Sequence, residues 1–343
     1  MKPVALVTGV VSDHRVEPFR VLAELENVDV LSWHEPRRYS QLEAARLVAS
    51  GRYRAVIGGL GGRLALPGTY AAARRARIPF VLWASLWAHP HTPAHALSFL
   101  PMRAIYRRAD AIVTYGPHVT RYVERFRDAG KVFEAPQAVD PSVFGRRVGD
   151  DERLAARERM GASSDGFLAL FVGRLVREKG IETLLRAWQR TSPPAGSALA
   201  FAGSGPLRPN GPNVHALGPI DRNDLPPLYA AADVLVLPSI PTATFREPWG
   251  LVCNEAMHQG TPVIASDAVG AAAGGLVVDG RTGMVFAAGD ADALATRLAA
   301  LAAAPELRDR LGAEACAKVA EYTPERWAEG MSRALAAVGV SRC

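Results

Sequence analysis

The chain has 343 residues, a globular composition and a net charge of +6, and its length suits two domains better than one. No apolar run reaches the roughly 18–20 residues of a membrane span, and the short strand pattern after Met1-Lys2 lacks the long apolar core and the cleavage site of a secretion signal. Three cysteines are too few and too scattered for a disulfide framework or a zinc site, which favours a reducing cytoplasm.

The charge is concentrated in the first part of the chain. Residues 1–150 hold 21 arginines and lysines against 13 acidic residues, whereas the remainder holds 19 against 21. A basic first half is suited to attract an anionic acceptor or the head groups at the inner face of a membrane. The alternative is genome base composition, because all but four of the basic residues are arginine. No interleaving of aromatic and basic residues indicates nucleic-acid binding.

The first half alternates apolar runs with amphipathic stretches, which predicts βαβ units and a parallel, doubly wound sheet. The predicted strands are Val4–Thr8, Val28–Leu31, Ala55–Ile57, Phe80–Trp83, Ala111–Thr114 and Val132–Ala135. The predicted helices are Pro18–Leu25, Gln41–Ser50, Thr69–Arg77, Leu97–Arg108 and Val119–Ala129.

Residues 145–165 are polar and charged and indicate a boundary, so we predict domains over 1–150 and 151–323 and a final helix in 324–343. The second half repeats the alternation. Its predicted strands are Phe167–Val172, Ala198–Ala202, Val214–Leu217, Asp233–Leu237 and Pro262–Ser266, with two short strands around a turn at Asp279-Gly280 within 276–286. Its predicted helices are Gly180–Gln189, Leu225–Ala231, Val252–His258, Ala291–Ala304, Glu306–Val319 and 324–337.

Two carboxylates eight positions apart, Glu247 and Glu255, flank the start of a predicted helix. Side chains on a helix lean toward its N-terminus, so Glu255 is expected to point back toward Glu247. The unpaired N–H groups of Gly250, Leu251 and Val252 at the same helix start favour an anion. Phosphate on the amides, with hydroxyl groups on the carboxylates, would suit a nucleotide sugar. The alternative is a helix with an ordinary acidic first turn.

This segment, FREPWGLVCNEAMHQGTPVIAS, resembles the Glu-x7-Glu signature of the family-four retaining glycosyltransferases, which share the GT-B fold. The resemblance implies that Glu247 holds hydroxyl groups of the donor sugar and that Glu255 holds the ribose of the nucleotide. It also implies two Rossmann-like domains with a cleft between them and a C-terminal helix that crosses back onto the first domain.

A second motif follows the predicted strand that ends at Val172, where Gly173 leads to Arg174 and Lys179. Ligands in open α/β sheets bind beyond the carboxyl ends of the strands, and two cations there would neutralise a diphosphate. The sequence FVGRLVREKGIETLL resembles the family's donor-phosphate motif, which implies that Arg174 and Lys179 are phosphate ligands. A solvated charged turn is the alternative.

Weaker signals add to the donor side. Gly203 and Gly205 follow a strand, so their amides are able to approach a phosphate or nucleoside, although such a pair is often only a turn. Ile220 is aligned with the family position whose backbone meets the base. Asp290-Ala291-Asp292 looks like a metal-binding Asp-x-Asp, but it opens an alanine-rich helix and is predicted to be a cap. We expect no metal and no cofactor.

The acceptor side is expected in the first domain. The family often has a histidine after the strand that corresponds to Phe80–Trp83; here Ser85 stands near that position, and Trp83 and His89 are close in sequence. His89 is the favoured candidate, with an ordinary loop histidine as the alternative. The run SDHRVEPFRVLAEL resembles a first βα loop of some members and places Arg15 on this side, although a plain helix-start arginine also fits.

Together with these features, the resemblance implies a cytoplasmic, metal-independent enzyme that transfers a sugar, with retention of configuration, from a UDP- or GDP-type nucleotide sugar to an acceptor hydroxyl group. The acceptor classes left open are a lipid-linked saccharide, a natural product and a small molecule. The alternatives are a partner subunit that binds sugar nucleotides without turnover and another GT-B enzyme, such as a nucleotide-sugar epimerase. Peripheral contact with a membrane through the basic first domain is a further expectation.

Overall fold

The structure is a computed structural model, and it describes residues 2–9, 11–33, 39–59, 65–90 and 92–340. The chain folds into two compact units, one formed by 1–139 with 322–343 and the other by 140–321. Within the described ranges, no helix combines the length and the apolar character that crossing a bilayer requires.

The first unit is built on a six-stranded, fully parallel sheet with the strand order β2-β1-β3-β4-β5-β6. Its strands are β1 Val4–Thr8, β2 Val28–Ser32, β3 Ala55–Gly59, β4 Phe80–Ala84, β5 Ala111–Thr114 and β6 Val132–Glu134. The connecting helices are α1 Asp13–Glu26, α2 Gln41–Ala49, α3 Ala65–Ala76, α4 Pro93–Arg108 and α5 Pro117–Val123. Every predicted strand is present, because strands covered on both faces read as continuous apolar runs.

Helices cover both faces of this sheet, and alternate residues of each strand enter opposite cores. In β1, Ala5 and Val7 pack with α2, α3, α4 and α5, whereas Val4 and Leu6 pack with α1. The last helix, α14 Pro324–Ala337, joins the second of these cores and packs beside α1. The predicted return of the final helix to the first domain is therefore confirmed.

The second unit contains a parallel sheet with the strand order β12-β11-β10-β7-β8-β9. Its strands are β7 Leu168–Val172, β8 Ala198–Ala202, β9 Val214–Gly218, β10 Val234–Leu237, β11 Val263–Ser266 and β12 Gly283–Phe286. Its helices are α6 Pro141–Phe144, α7 Asp150–Arg159, α8 Ile181–Arg190, α9 Leu225–Ala231, α10 Val252–His258, α11 Gly270–Ala273, α12 Ala291–Ala303 and α13 Pro305–Val319. The prediction of two doubly wound parallel sheets is confirmed.

The strand order of the second sheet reverses direction between β7 and β10. Chain order runs outward from β7 through β8 to β9, and then from β10 through β11 to β12 on the other side. Such a switch point opens a crevice beyond the carboxyl ends of the two central strands. The loops after β7 and β10 are the ones that carry Lys179 and Glu247.

The units divide at 139/140 and 321/322, whereas the sequence placed the boundaries at 150/151 and 323/324. Part of the predicted boundary segment is the helix α7, which has three acidic residues in its first turn and basic residues in its last. Arg157 of α7 donates to the Ala231 carbonyl at 2.8 Å and pairs with Asp233 at 3.2 Å, which ties α7 to the second unit.

Of the two short strands predicted around Asp279-Gly280, the second is present and the first is wrong. Only Gly283–Phe286 forms a strand there, parallel to β11. The Leu276 and Val277 N–H groups donate instead to the Ala271 carbonyl, and the Thr282 hydroxyl accepts from the Val278 N–H. The amides on the first side of the turn are therefore used locally and cannot pair with a neighbouring strand.

Candidate functional site

The loops that follow β7 and β8 pack directly on each other at the carboxyl edge of the second sheet. The Gly173 N–H donates to the Ala202 carbonyl at 3.0 Å. A Cβ on Gly203 would lie 1.9 Å from the Gly173 carbonyl oxygen, and one on Gly205 would lie 2.3 Å from the Leu175 carbonyl oxygen. Only glycine allows this approach, so the Gly203 and Gly205 turn supports the loop that carries the two predicted cations.

Lys179 and Glu247 form an ion pair across 68 residues of sequence. The Lys179 ammonium donates to Glu247 Oε2, and the Ser239 hydroxyl donates to the same oxygen at 3.0 Å. Only 14% of the Lys179 side chain and 9% of the Glu247 side chain are exposed. Removing either partner would leave the other charge buried without this counter-ion, so the pair fixes the position of both groups.

The backbone holds the two loops together around this pair. Gly180 has φ +71°, and a Cβ there would lie 1.9 Å from the Pro238 carbonyl oxygen. The Ile240 N–H donates to the Glu178 carbonyl at 2.9 Å. The turn after β7 and the loop after β10 are thus in contact at the switch point.

Glu255 lies one turn inside α10 and is held by a residue of α9. The Tyr229 hydroxyl donates to Glu255 Oε2. Burial raises the pKa of Glu255 to about 7, and this effect exceeds the opposing effects of the Tyr229 hydrogen bond and the Arg222 charge. The carboxyl group therefore changes its protonation near neutral pH.

This pKa predicts a stability that depends on pH. Between the ordinary value of 4.5 and about 7, Glu255 is protonated in the folded chain but ionised in the unfolded chain, so stability falls as pH rises. In Glu255→Gln this loss is absent, so the variant should gain up to about 3 kcal/mol relative to the wild type between pH 4.5 and 8.

Urea unfolding at pH 5, 6, 7 and 8 measures the difference. Glu158→Gln is the matched control, because Glu158 is exposed on α7 of the same unit. If the wild type and Glu255→Gln give parallel stability curves over this range, the raised pKa is wrong.

Three amides at the start of α10 are available to a ligand. Among the described residues, none accepts a hydrogen bond from the N–H groups of Gly250, Leu251 or Val252. Because α10 has only seven residues, the amides themselves rather than a long helix dipole would attract an anion.

Arg174 follows Gly173 but is not part of the buried pair. Its side chain is 64% exposed, and within the described ranges its ion pair is with Glu178, at 3.7 Å. The structure therefore joins Lys179 to Glu247, places Glu255 on the adjacent helix and leaves the Arg174 guanidinium at the surface of the same loop as Lys179.

The predicted acceptor-side residues lie in the first unit. Arg15 is in the first turn of α1, and its guanidinium carbon lies 4.6 Å from the centre of a Trp83 ring. Ser85 directly follows β4 and is half-buried. His89 packs against Phe99 of α4 with ring centres 5.0 Å apart. Arg15 thus contacts Trp83, whereas the aromatic neighbour of His89 is on α4.

Two further predicted positions lie at element ends. Ile220 follows β9 by two residues and is half-buried. The Asp290 carboxylate accepts from the Asp292 and Ala293 N–H groups at 3.0 and 2.9 Å, so the predicted helix cap is confirmed.

Sequence reasoning missed three side chains around the carboxylates. The Ser239 hydroxyl donates a hydrogen bond to Glu247, and the Tyr229 hydroxyl donates one to Glu255. The charge of Arg222 lowers the pKa of Glu255, against the larger effect of burial. The one available signal was position, because Ser239 directly follows the buried strand β10 on the way to Glu247. Tyr229 reads as a core residue of α9 and carries no distinguishing pattern.

Comparison with known proteins matches residues 166–304 to the family described as Glycosyl transferases group 1. The chain is 32% identical over 259 residues to a D-inositol 3-phosphate glycosyltransferase of Streptomyces scabiei, a match that covers 68% of this chain and 55% of that protein. A second enzyme of the same description, from Streptomyces avermitilis, is 37% identical over 260 residues and is covered to 53%. The chain thus spans about half the length of these relatives.

Solved structures share the fold over nearly the whole chain. Anabaena HepE, determined in complex with UDP and glucose, superposes with a TM-score of 0.76 at 18% identity, covering 98% of this chain and 100% of that one. Sucrose-phosphate synthase of Thermosynechococcus elongatus superposes with a TM-score of 0.75 at 23% identity, covering 97% and 98%.

Proposed function

This chain belongs to the glycosyl transferases group 1 family and has the GT-B fold, and from that premise we propose that it transfers a sugar from a nucleotide-diphosphate sugar to a hydroxyl group of an acceptor. The contact between Lys179 and Glu247 at the switch point of the second sheet carries the proposal. It supports a site in which a phosphate bound by the lysine lies next to a sugar bound by the carboxylate.

Each donor-side residue has a role in this proposal. Glu247 accepts hydrogen bonds from sugar hydroxyl groups, and Glu255 accepts them from the ribose. Lys179, Arg174 and the amides of Gly250, Leu251 and Val252 bind the diphosphate and stabilise its charge as the sugar leaves. The glycines at 173, 203 and 205 and the backbone at Ile220 line the nucleotide. UDP is the favoured nucleotide because the HepE structure contains it, with GDP as the alternative.

The proposed reaction retains the anomeric configuration and requires no metal. The bond between the anomeric carbon and the phosphate oxygen breaks, and a bond to the acceptor oxygen forms on the same face of the sugar. The acceptor proton passes to the leaving phosphate, so no side-chain base is demanded. Retention rests on the resemblance of the segment from Glu247 to Glu255 to the family-four retaining enzymes.

The acceptor is proposed to bind the first unit through Arg15, Trp83, Ser85 and His89. Two relatives are described as acting on D-inositol 3-phosphate, which makes this compound a reasonable first acceptor to test. Lipid-linked saccharides and natural products stay within the proposal.

The test has two stages. Thermal-shift measurements with UDP, GDP, ADP and TDP identify the base, since a ligand of the native state raises the apparent stability. The matching nucleotide sugars are then incubated with the chain and acceptors, and free nucleotide is measured. Release of nucleotide that depends on the chain supports transfer, whereas nucleotide binding without release under every acceptor condition would favour a non-catalytic binding partner.

We also propose that the first unit contacts anionic membrane surfaces through α4. Leu97 and Leu100 of this helix are 83% and 68% exposed, and Arg107 and Arg108 are exposed on the same helix. Exposed apolar side chains beside cations suit an interface with acidic lipids.

We expect the chain to sediment with vesicles of phosphatidylcholine and phosphatidylglycerol but not with phosphatidylcholine alone. Replacing Leu97 and Leu100 by serine should reduce the bound fraction at least several-fold. The free energy of membrane binding loses about 0.8 kcal/mol for each CH₂ group that no longer enters the lipid. Leu154→Ser, at an exposed leucine of the second unit, is the control. Equal sedimentation with both lipid mixtures would remove this proposal.

A further inference from the structure

Arg15 is a buried cation without an anion. It is only 7% exposed, and among the described residues it makes no ion pair with a carboxylate. Its NH2 group donates to the Tyr115 hydroxyl at 2.9 Å and to Gln137 Oε1 at 2.8 Å. Burial lowers the pKa of Arg15, yet a guanidinium stays protonated in proteins. Within the described part of the chain, the contacts that balance its charge are therefore neutral dipoles and aromatic faces.

Three hydrogen-bond donors in this cluster have no acceptor among the residues that the structure describes. The Arg15 NH1 group and the Nε1 groups of Trp83 and Trp327 are buried and unpaired. The two indoles lie against each other with ring centres 5.5 Å apart, and the Arg15 guanidinium lies over a Trp83 ring. Each unsatisfied buried donor carries a desolvation penalty, so the cluster has an excess of donors and of positive charge.

The cluster lies where a ligand of this sheet is expected. Arg15 is in the first turn of α1, the helix that follows β1, Tyr115 directly follows β5, and Gln137 follows β6 by three residues. Trp83 is the penultimate residue of β4. All four therefore come from the carboxyl edge of the first sheet, the edge at which open α/β sheets bind ligands.

We propose that this cluster, formed by Arg15, Trp83, Tyr115, Gln137 and Trp327, binds an oxyanion on the acceptor, so that the enzyme takes phosphorylated or carboxylated hydroxyl compounds. The inference rests on the proposed function and narrows its acceptor to an anionic class. An uncharged hydroxyl group would accept one hydrogen bond but would leave the guanidinium charge unbalanced. A phosphate or carboxylate balances the charge and supplies acceptors to the free NH1 group.

Gln137→Glu is the most informative variant. It places a carboxylate 2.8 Å from the Arg15 NH2 group, at the position of Gln137 Oε1, and so supplies an internal anion with almost no change in shape. We expect this variant to fold at least as stably as the wild type and to lose anion binding. Arg15→Met should lose the same binding, whereas Arg125→Met, at an exposed arginine of the same unit, should keep it.

The experiment measures tryptophan fluorescence of the donor-free chain during titration with inorganic phosphate and, separately, acetate, at constant ionic strength set with chloride. A saturable change with either anion, at least tenfold weaker in Gln137→Glu and in Arg15→Met, supports the site, and the effective anion identifies the phosphorylated or carboxylated class. A change that is absent with both anions, or that persists in both variants, overturns the inference.

Because no donor is present, the result does not depend on turnover. Anion binding at Arg15 together with a failure to release nucleotide would remove the proposed function and leave the anion site standing. Nucleotide release with an uncharged acceptor, together with no anion binding, would remove the inference and leave the proposed function intact.

Discussion

Glu247→Ala is expected to reduce the turnover of nucleotide sugar by about 10²–10³-fold while the affinity for the nucleoside diphosphate changes by no more than about threefold. In the proposed site this carboxylate holds the sugar, which the nucleoside diphosphate lacks. Lys179 loses its carboxylate partner in this variant but gains an anionic one in the bound diphosphate, and the amides of Gly250–Val252 are unchanged. Calorimetric titration with the nucleoside diphosphate and steady-state release of nucleotide measure the two effects separately.

Arg174→Ala is the contrasting variant for this prediction. Its guanidinium is 64% exposed and its nearest carboxylate is 3.7 Å away, so the substitution should leave the fold unchanged. As a phosphate ligand, however, it should weaken nucleotide binding by about tenfold or more and lower turnover as well. Equal turnover of the wild type and Glu247→Ala would remove Glu247 from the mechanism.

Lys179→Ala is expected to lower the free energy of unfolding by about 3–5 kcal/mol and to abolish turnover. The substitution removes the ammonium group that pairs with the buried Glu247 carboxylate and keeps the neutral Ser239 hydroxyl, which donates to it at 3.0 Å. Breaking one side of a buried ion pair has a cost of this size. It also removes a phosphate ligand. Urea unfolding measures the first effect and nucleotide release the second.

The chain contains a matched control for this prediction. Lys318 pairs with Glu321 at 2.9 Å, but the two side chains are 32% and 52% exposed. Lys318→Ala should therefore cost less than about 1 kcal/mol. Lys179→Met combined with Glu247→Leu removes both buried charges, so it should recover most of the lost stability without recovering turnover. A cost for Lys179→Ala no greater than that for Lys318→Ala would contradict the buried pair.

Much of the fold could be predicted from the sequence because the strands are buried on both faces. Runs such as Val4–Thr8 and Ala198–Ala202 match the structure residue for residue, since each is apolar and is bounded by proline, serine or glycine. Helix starts were harder. α1 begins at Asp13 rather than at Pro18, which lies inside the helix. A proline commonly occupies the first turn of a helix, so Pro18 indicated a start that was too late.

The first of the two short strands predicted around Asp279-Gly280 is absent for a different reason. A turn signal marks where the chain reverses but does not show which partners the flanking amides find. Here the flanking amides donate to a threonine hydroxyl and to the Ala271 carbonyl, so they are not available to pair with a strand. The helix α7 was missed because its apolar face is small, and its acidic first turn resembles a polar linker.

The residues of the site also fall into two groups: those that a local sequence motif identifies and those that only contacts between distant positions bring to the site. The glycines, Lys179 and both glutamates were identified because each follows a strand or opens a helix within a recognisable motif. The partners Ser239 and Tyr229 were not, since a hydrogen bond across elements leaves no periodic pattern. The cluster around Arg15 joins positions 15, 83, 115, 137 and 327, and only folding brings such distant positions together.

A crystal structure of the chain with bound UDP tests the central claim most directly. We expect the diphosphate oxygens to lie within about 3 Å of the Lys179 ammonium and of the amides at Gly250–Val252. Glu255 should accept a hydrogen bond from the ribose, and Glu247 should lie next to the terminal phosphate. UDP bound away from Lys179, with these amides and both carboxylates untouched, would contradict it.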